Sequence, residues 1–183
     1  MSLKNKNILI GVSGGIAAYK VATFIGMLKK EGANVKAIMT KNATEFIAPL
    51  TLSSLSQNKV IVDMFDKVTQ YDTEHITLSK WADLLVVIPA TANIIGKIAS
   101  GIADDMLSTT IMASRAQVLI APAMNTNMFE NKIVQDNIQK LIKFDYKFVM
   151  PQKGMLACGD EGVGKLASLE EVLSMVKELV GGK

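Results

Sequence analysis

The sequence predicts an α/β fold, an open parallel sheet with helices on both faces and hence three layers. Short, near-continuous aliphatic runs at 7–12, 84–88 and 118–120 suit strands buried on both sides, as a parallel sheet covered by helices requires. Between the runs, apolar residues recur at three and four positions, the spacing of a helix with one buried stripe. The polar punctuation also falls in one kind of place. Ser13-Gly14-Gly15, Pro89-Ala90-Thr91-Ala92-Asn93-Ile94 and Ala121-Pro122-Ala123-Met124-Asn125 each follow an apolar run directly. In an open parallel sheet, ligands sit beyond the carboxyl ends of the strands, so these segments are expected to face one site.

Residues 7–12, with Ile8, Leu9, Ile10 and Val12, read as a central strand. Ala17, Val21, Phe24, Ile25 and Leu28 set the stripe of the helix after it, Lys29 and Lys30 suit its last turn, and Gly32 suits its end. The turn between them, Gly11-Val12-Ser13-Gly14-Gly15-Ile16-Ala17-Ala18, has two readings. As a phosphate cradle, its glycines let backbone approach an anion, the first free N–H groups of the helix point at it, and the Ser13 hydroxyl adds a donor. As a tight strand-to-helix turn it holds nothing. The G-x-G-x-x-G spacing is absent, and the second strand, 35–39, ends in Thr40-Lys41-Asn42 without an acid for a ribose hydroxyl. A mononucleotide such as FMN fits better than NAD.

Residues 42–55 read as two short helices interrupted by Pro49, the second starting at Thr51-Leu52-Ser53-Ser54. Phe46 reads as a core residue, with a pocket wall as the alternative. Residues 60–62 are a candidate short strand, and 69–74 a polar loop that ends at the single histidine, His75. Followed by Ile76, Leu78 and Trp81, this imidazole is drawn toward an apolar wall, where it is available for acid–base work near neutral pH. A surface or hydrogen-bonded structural histidine is the plainer reading. No second histidine exists to share a metal, and no metal site is expected.

Residues 91–113 are helical in character with a break at Gly101. Asp104-Asp105 reads as a solvated helix start more readily than as a metal pair. Ser108, Thr109 and Thr110 suit capping or packing as well as binding. Residues 131–143 form an amphipathic helix with Ile133, Val134, Ile138, Leu141 and Ile142 inward, and 146–150 a further strand. Residues 151–165, with glycines at 154, 159, 162 and 164, read as a long irregular loop of the kind used for lids and binding. Cys158 sits in its middle, a poor place for the usual free cysteine, which is a small buried hydrophobe. Ser168-Leu169-Glu170-Glu171 is a capping box that opens a last helix running to about Val180.

Composition narrows the function. The 183 residues fit one domain over 1–183, with a C-terminal synthetase domain in a longer natural chain left open. Aliphatics and 11 methionines fill the core, since only 5% of residues are aromatic. A net charge of +3 without a Lys/Arg run argues against nucleic acid. No apolar run reaches the roughly 18 residues that span a bilayer, the N-terminal lysines and asparagines do not read as a secretory h-region, and one cysteine cannot form an intrachain disulfide. The chain reads as cytoplasmic, with no membrane partner.

Four motifs, in this order and spacing, resemble the flavin-dependent cysteine decarboxylases, and among them the phosphopantothenoylcysteine decarboxylases of coenzyme A biosynthesis. They are the Gly-Val-Ser-Gly-Gly-Ile-Ala-Ala turn, His75 ahead of a Trp-Ala-Asp strand entry, Pro89-Ala90-Thr91-Ala92-Asn93, and Pro122-Ala123-Met124-Asn125-Thr126-Asn127-Met128-Phe129. Ala157-Cys158-Gly159-Asp160 is a fifth. The resemblance implies a Rossmann-like, flavodoxin-like FMN enzyme, a homotrimer or a dodecamer of trimers, with active sites at subunit interfaces. It implies FMN contacts at Ser13, Gly14, Gly15, Ile16, Thr40, Thr91, Ala92, Asn93 and Ile94. It implies His75, Asn125 and Cys158 as catalytic residues, and Asn125, Met155 and Ala157 on the substrate. Thr91 stands where the family has serine, keeping the hydroxyl. Ile94 stands where it has threonine, leaving only backbone and apolar contact.

The implied chemistry explains the parts. A cysteinyl amide has no electron sink β to its carboxylate, so direct loss of CO₂ would leave an unstabilised carbanion. Oxidation of the thiol to a thioaldehyde creates that sink, and CO₂ loss then leaves an ene-thiolate, which is reduced as an acid adds a proton. Asn125 is expected to fix the carboxylate, His75 to manage protons during oxidation, and Cys158 to protonate during reduction. Nearby alternatives are peptidyl-cysteine decarboxylases and flavin prenyltransferases; the Asn125 segment and the Cys158 loop argue against the prenyltransferase. A non-catalytic regulatory flavoprotein would be expected to lack one of the three residues. A flavodoxin-like electron carrier would need no such cysteine and would carry more aromatics.

Overall fold

A computed structural model describes residues 2–65, 74–155, 159 and 161–181. Its main sheet has the order β2-β1-β3-β4-β5, built from β1 (Asn7–Val12), β2 (Asn34–Met39), β3 (Leu84–Ala90), β4 (Gln117–Pro122) and β5 (Lys147–Phe148), all paired in parallel. This is the flavodoxin-like order. The chain leaves β1 for β2 on one side and returns to β3 on the other, so a crevice opens at the carboxyl ends of β1 and β3.

The central strands are apolar at every position because they feed two cores. Ile8, Ile10 and Val86 face α1 (Lys20–Lys30) and α8 (Leu169–Gly181), where Phe24, Leu28, Val172 and Val176 are fully buried. Leu9, Leu85 and Val87 face the opposite layer, α3 (Glu74–Trp81), α4 (Ala92–Ser100), α5 (Met106–Ala113) and α7 (Lys132–Lys143), through Leu78, Ile95, Leu107 and Ile138. Side chains alternate across a strand, so a strand between two helical layers has no polar face to show. No helix among the described residues is long and apolar enough to cross a membrane.

Several elements differ from expectation, each for a local reason. β3 and β4 run two residues further, through Pro89-Ala90 and Ala121-Pro122, because the Pro89 carbonyl still accepts from the Ser13 N–H and the Ala90 carbonyl from the Ala123 N–H. The first turn after the glycines is a 3₁₀ turn, Ile16–Tyr19, and the α-helix starts only at Lys20. Another 3₁₀ turn, Lys41–Glu45, precedes α2 (Pro49–Ser56), whose first residue is Pro49 itself, where a missing N–H costs nothing. Phe46 is 45% exposed, so it is neither core nor a wall of the cleft described below. Residues 60–62 contribute one bridge, Ile61 to Ile38, and β5 is only two residues long.

In α7 the buried stripe is the row Val134, Ile138 and Leu141, and Ile133 and Ile142 turn outward, 72% and 40% exposed. The stretch 151–165 is not wholly irregular: β6 (Gln152–Met155) and β7 (Glu161–Lys165) pair as an antiparallel hairpin. Its glycines hide the strand signal yet have a packing cause. A Cβ on Gly162 would lie 2.1 Å from Thr126 Oγ1, and one on Gly164 2.2 Å from the Met124 carbonyl oxygen. The capping box of α8 forms as read: Ser168 Oγ accepts from the Glu171 N–H at 3.2 Å, and Glu171 accepts from the Ser168 N–H at 3.2 Å.

Candidate active site

A cleft of about 1010 Å³ opens at the carboxyl ends of the strands. That is at the upper end of the ~300–1,000 Å³ usual for ligand pockets, with room for a cofactor and a substrate together. Every parallel strand from β2 to β4 sends its following loop into it: Thr40-Lys41-Asn42, Ser13-Gly14-Gly15-Ile16, Thr91 and Asn93, and Ala123-Met124-Asn125.

The glycine turn is held to β3 by a buried serine. Ser13 Oγ donates to the Pro89 carbonyl at 2.7 Å and accepts from the Thr91 N–H at 3.0 Å, with Thr91 Oγ1 at 3.2 Å. Its single proton thus goes to the neighbouring strand, and its contribution to an anion is to hold the turn in shape. Among the described residues, the N–H groups of Gly14, Gly15, Ile16 and Ala17 meet no acceptor. Four successive unpaired donors at the mouth of a cleft form a concavity suited to a phosphate. Gly14 is required there by close approach, since a Cβ would lie 2.6 Å from Asn42 Cβ and 2.8 Å from its carbonyl carbon.

On the β3 side, Thr91 caps α4 by accepting from the Ile94 N–H at 3.4 Å, and Asn93 lines the cleft. Ala92 and Ile94 do not line it. Ile94 is 1% exposed and packs into the core beneath α4. Thr40 caps the second 3₁₀ turn, accepting from the Ala43 N–H at 3.3 Å.

On the β4 side, Asn125 caps α6 (Thr126–Glu130), and its Oδ1 accepts from the Asn127 N–H at 2.9 Å. The amide is thereby oriented by the backbone, with its NH₂ the donor end that a carboxylate needs. The hairpin is strapped to this loop: the Met124 N–H donates to the Gly164 carbonyl at 3.0 Å. Met155, at the end of β6, reaches the cleft. Ala157 and Cys158 lie outside the described residues. His75 sits half-buried in the first turn of α3, rather than in a loop, and does not line the cleft. One chain thus brings the nest, Thr91, Asn93 and Asn125 together, and leaves His75 apart.

Four wall residues belonged to no motif: Tyr19, Lys20, Lys97 and Lys165. Only their positions just after strand ends or one helical turn inside could have pointed to them. Lys97 bonds Asp104 at 2.7 Å and Asp105 at 2.8 Å, so the acidic pair holds a lysine, and among the described residues no cluster suits a metal. Asp105 also caps α5, accepting from the Ser108 N–H at 2.8 Å. Burial alone would raise the Asp105 pKa, but hydrogen bonds from Lys97 and Ser108 outweigh it and hold the carboxyl below its ordinary value. Burial likewise opposes the Lys97 charge, and the two carboxylates outweigh it and raise that pKa.

These shifts fix a pH response. The Asp105 contribution to stability is present above its unfolded value of about 3.9 and is lost as pH falls through the lower folded value. The Lys97 contribution is present below about 10.4 and is lost as pH rises through its raised value. Asp105→Ala should cost about 1–2 kcal/mol at neutral pH through the cap. Asp105→Asn, an equally good cap, should keep most of that and mainly remove the acid-side loss. Urea unfolding at neutral and acid pH separates the two; equal pH dependence in Asp105→Asn and the parent would refute the assignment.

The comparisons follow the same lines. The family model described as Flavoprotein matches residues 1–181. The chain belongs to the flavoprotein family. This flavoprotein is 50% identical over 173 residues to the coenzyme A biosynthesis bifunctional protein CoaBC of Borreliella burgdorferi, covering 94% of its own length and 44% of that protein. It therefore spans under half of that relative. It is 43% identical to a "probable phosphopantothenoylcysteine decarboxylase" of Streptococcus mutans, covering 94% of itself and 98% of that protein. Among solved structures, the flavoprotein superposes on a cysteine-to-serine mutant of PPC decarboxylase complexed with pantothenoylaminoethenethiol, with TM-score 0.84, 30% identity and coverage of 96% and 98%. The FMN-dependent cysteine decarboxylase SpaF gives TM-score 0.87 at 29% identity, with coverage of 99% and 100%.

Proposed function

We propose that this flavoprotein is an FMN-dependent carboxy-lyase that converts phosphopantothenoylcysteine to phosphopantetheine in coenzyme A biosynthesis, as a cytoplasmic homo-oligomer. One observation carries the reading: a single cleft holds a nest of unpaired N–H groups at one end and a backbone-oriented amide at the other. The first suits a cofactor phosphate and the second a substrate carboxylate. Full-length similarity to the Streptococcus mutans protein supports the substrate.

The cofactor would be held by the N–H groups of 14–17, by Thr40 and Thr91, and by Asn93. When bound, FMN would supply a two-electron sink and source for the substrate thiol. The protein does the rest. Asn125 donates to the carboxylate and holds the cysteinyl end in place, so that CO₂ departs from a fixed conformation. Met155 and Met128 line the same space. His75 manages the thiol proton, and Cys158 supplies the proton that completes the saturated thiol.

His75 needs a second copy to reach the cleft. Self-association is supported by Ile16 and Tyr19, which stand 57% and 58% exposed at the cleft wall. Such apolar groups at a ligand-site rim favour a protein cover over water. The decisive test is direct: purified protein should be yellow and should release CO₂ from phosphopantothenoylcysteine. Colourless protein, or no CO₂ from that substrate, would refute the reading. Cys158→Ser should release CO₂ and stall before the saturated product; full product at the parental rate would refute the role of Cys158.

A further inference from the structure

The charges around the cleft are unequal in a way that the cofactor alone does not explain. Its walls carry four cations, Lys20, Lys41, Lys97 and Lys165, and one carboxylate, Asp105. Lys97 is matched by Asp104 and Asp105. Among the described residues, no carboxylate pairs with Lys20, Lys41 or Lys165. Lys20 and Lys41 flank the glycine turn and the end of β2, so their charge adds to the nest at 14–17. Lys165 stands on the other wall, in β7, next to the loop that carries Asn125.

The geometry of the hairpin sets where that amine goes. Gly162 and Gly164 press against Thr126 and Met124. A register shift at Gly164 interrupts the alternation, and the Lys165 side chain lies on the face that Gly154 shares with its partner Gly162. Its stem then lies across β6 over Gly154, whose missing side chain leaves the space: a Cβ there would be 3.3 Å from Lys165 Cδ and 3.6 Å from Nζ. An exposed lysine on a strand is ordinarily a solvated charge. This one is laid along a hairpin whose end residue, Met155, also lines the cleft, and it faces a cleft with no acid left to balance it.

We propose that Lys165 is the specificity residue for the far anion of the substrate, its phosphate, while Asn125 holds the carboxylate. The inference rests on the proposed decarboxylase reading. A substrate with an anion at each end needs two recognition points, and the Asn125 amide on the β4 loop and the Lys165 amine on the hairpin strapped to it, both lining one cleft, supply them. The ammonium acts as a point charge with three donors, suited to a terminal phosphate.

The test compares flavin-loaded parent, Lys165→Gln and Lys165→Arg. Calorimetric titration with phosphopantothenoylcysteine and with pantothenoylcysteine gives the preference for the phosphorylated ligand without requiring turnover. CO₂ release gives KM and kcat. In Lys165→Gln the preference should fall about tenfold, the value of one exposed charge-assisted contact, through KM more than kcat. Lys165→Arg should retain most of it, and visible flavin absorbance per protomer should match the parent in both.

The proposal is overturned if the parent has no preference, if Lys165→Gln keeps it, if that variant weakens both ligands alike, or if it loses flavin. The last result would place the amine on the cofactor. A measurement on the parent needs no variant: added salt should erode the preference because the amine is exposed to screening, and a salt-independent preference overturns the proposal. Absence of CO₂ from both ligands with the calorimetric preference intact would instead refute the decarboxylase reading.

Discussion

Asn125→Asp should abolish CO₂ release, by about 10³-fold or more, in a protein that still folds and still holds flavin. The substitution is almost isosteric, and aspartate caps a helix as well as asparagine does, so α6 and the bond from the Asn127 N–H at 2.9 Å should survive. What changes is the other half of the group. The amide NH₂ becomes a carboxylate oxygen, and a donor meant for the substrate carboxylate becomes a like charge. At about 4 Å and an effective dielectric constant of about 20, that repulsion is about 4 kcal/mol, and each 1.36 kcal/mol is about tenfold. The check is CO₂ release per flavin, beside melting temperature and visible absorbance. Near-parental turnover would show that the carboxylate does not lie against Asn125. Loss of flavin with folding intact would move Asn125 to the cofactor side of the cleft.

Much of this arrangement was legible because the strands advertise their own surroundings. Ile8, Leu9 and Ile10 are continuous because they feed two cores, and that continuity, with Gly14-Gly15 and Pro89 or Pro122 after each run, places the ligand end of the sheet. Asp105 and Ser168 were legible as caps for a similar reason: a cap is a local bond between near neighbours in sequence. The hairpin was not. Its pairing of Lys153 with Val163 and Gly154 with Gly162 is set by the Asn125 loop it packs on, and glycines chosen for close approach carry no alternation to read. Lys165 was missed with it, because its meaning depends on which charges surround it in space. His75 shows the converse limit: its residue type suggested chemistry, but the cleft of one chain does not include it.

The other large effect concerns two adjacent glycines that sequence cannot distinguish. Gly14→Ala should lose most bound flavin and about 1–3 kcal/mol of stability, as overpacked sites do, whereas Gly15→Ala should fold like the parent. At Gly14 an added Cβ meets the Asn42 backbone, at 2.8 Å from its carbon and 2.9 Å from its oxygen, and backbone of a capped turn cannot swing aside as a side-chain tip can. The turn after β1 must therefore separate from the turn after β2, and the nest at 14–17 opens. At Gly15 the backbone is extended, with φ −158°, which any residue adopts, and the only near neighbour is Thr91 Cγ2 at 3.5 Å, ordinary contact. A methyl there leaves the fold alone and is felt only by a ligand seated between the turn and Thr91. Melting temperature and flavin per protomer, read together, separate the outcomes. Gly14→Ala that melts with the parent and keeps its colour would mean that the two turns are not held together by close approach, and the anion would have to be bound elsewhere in the cleft.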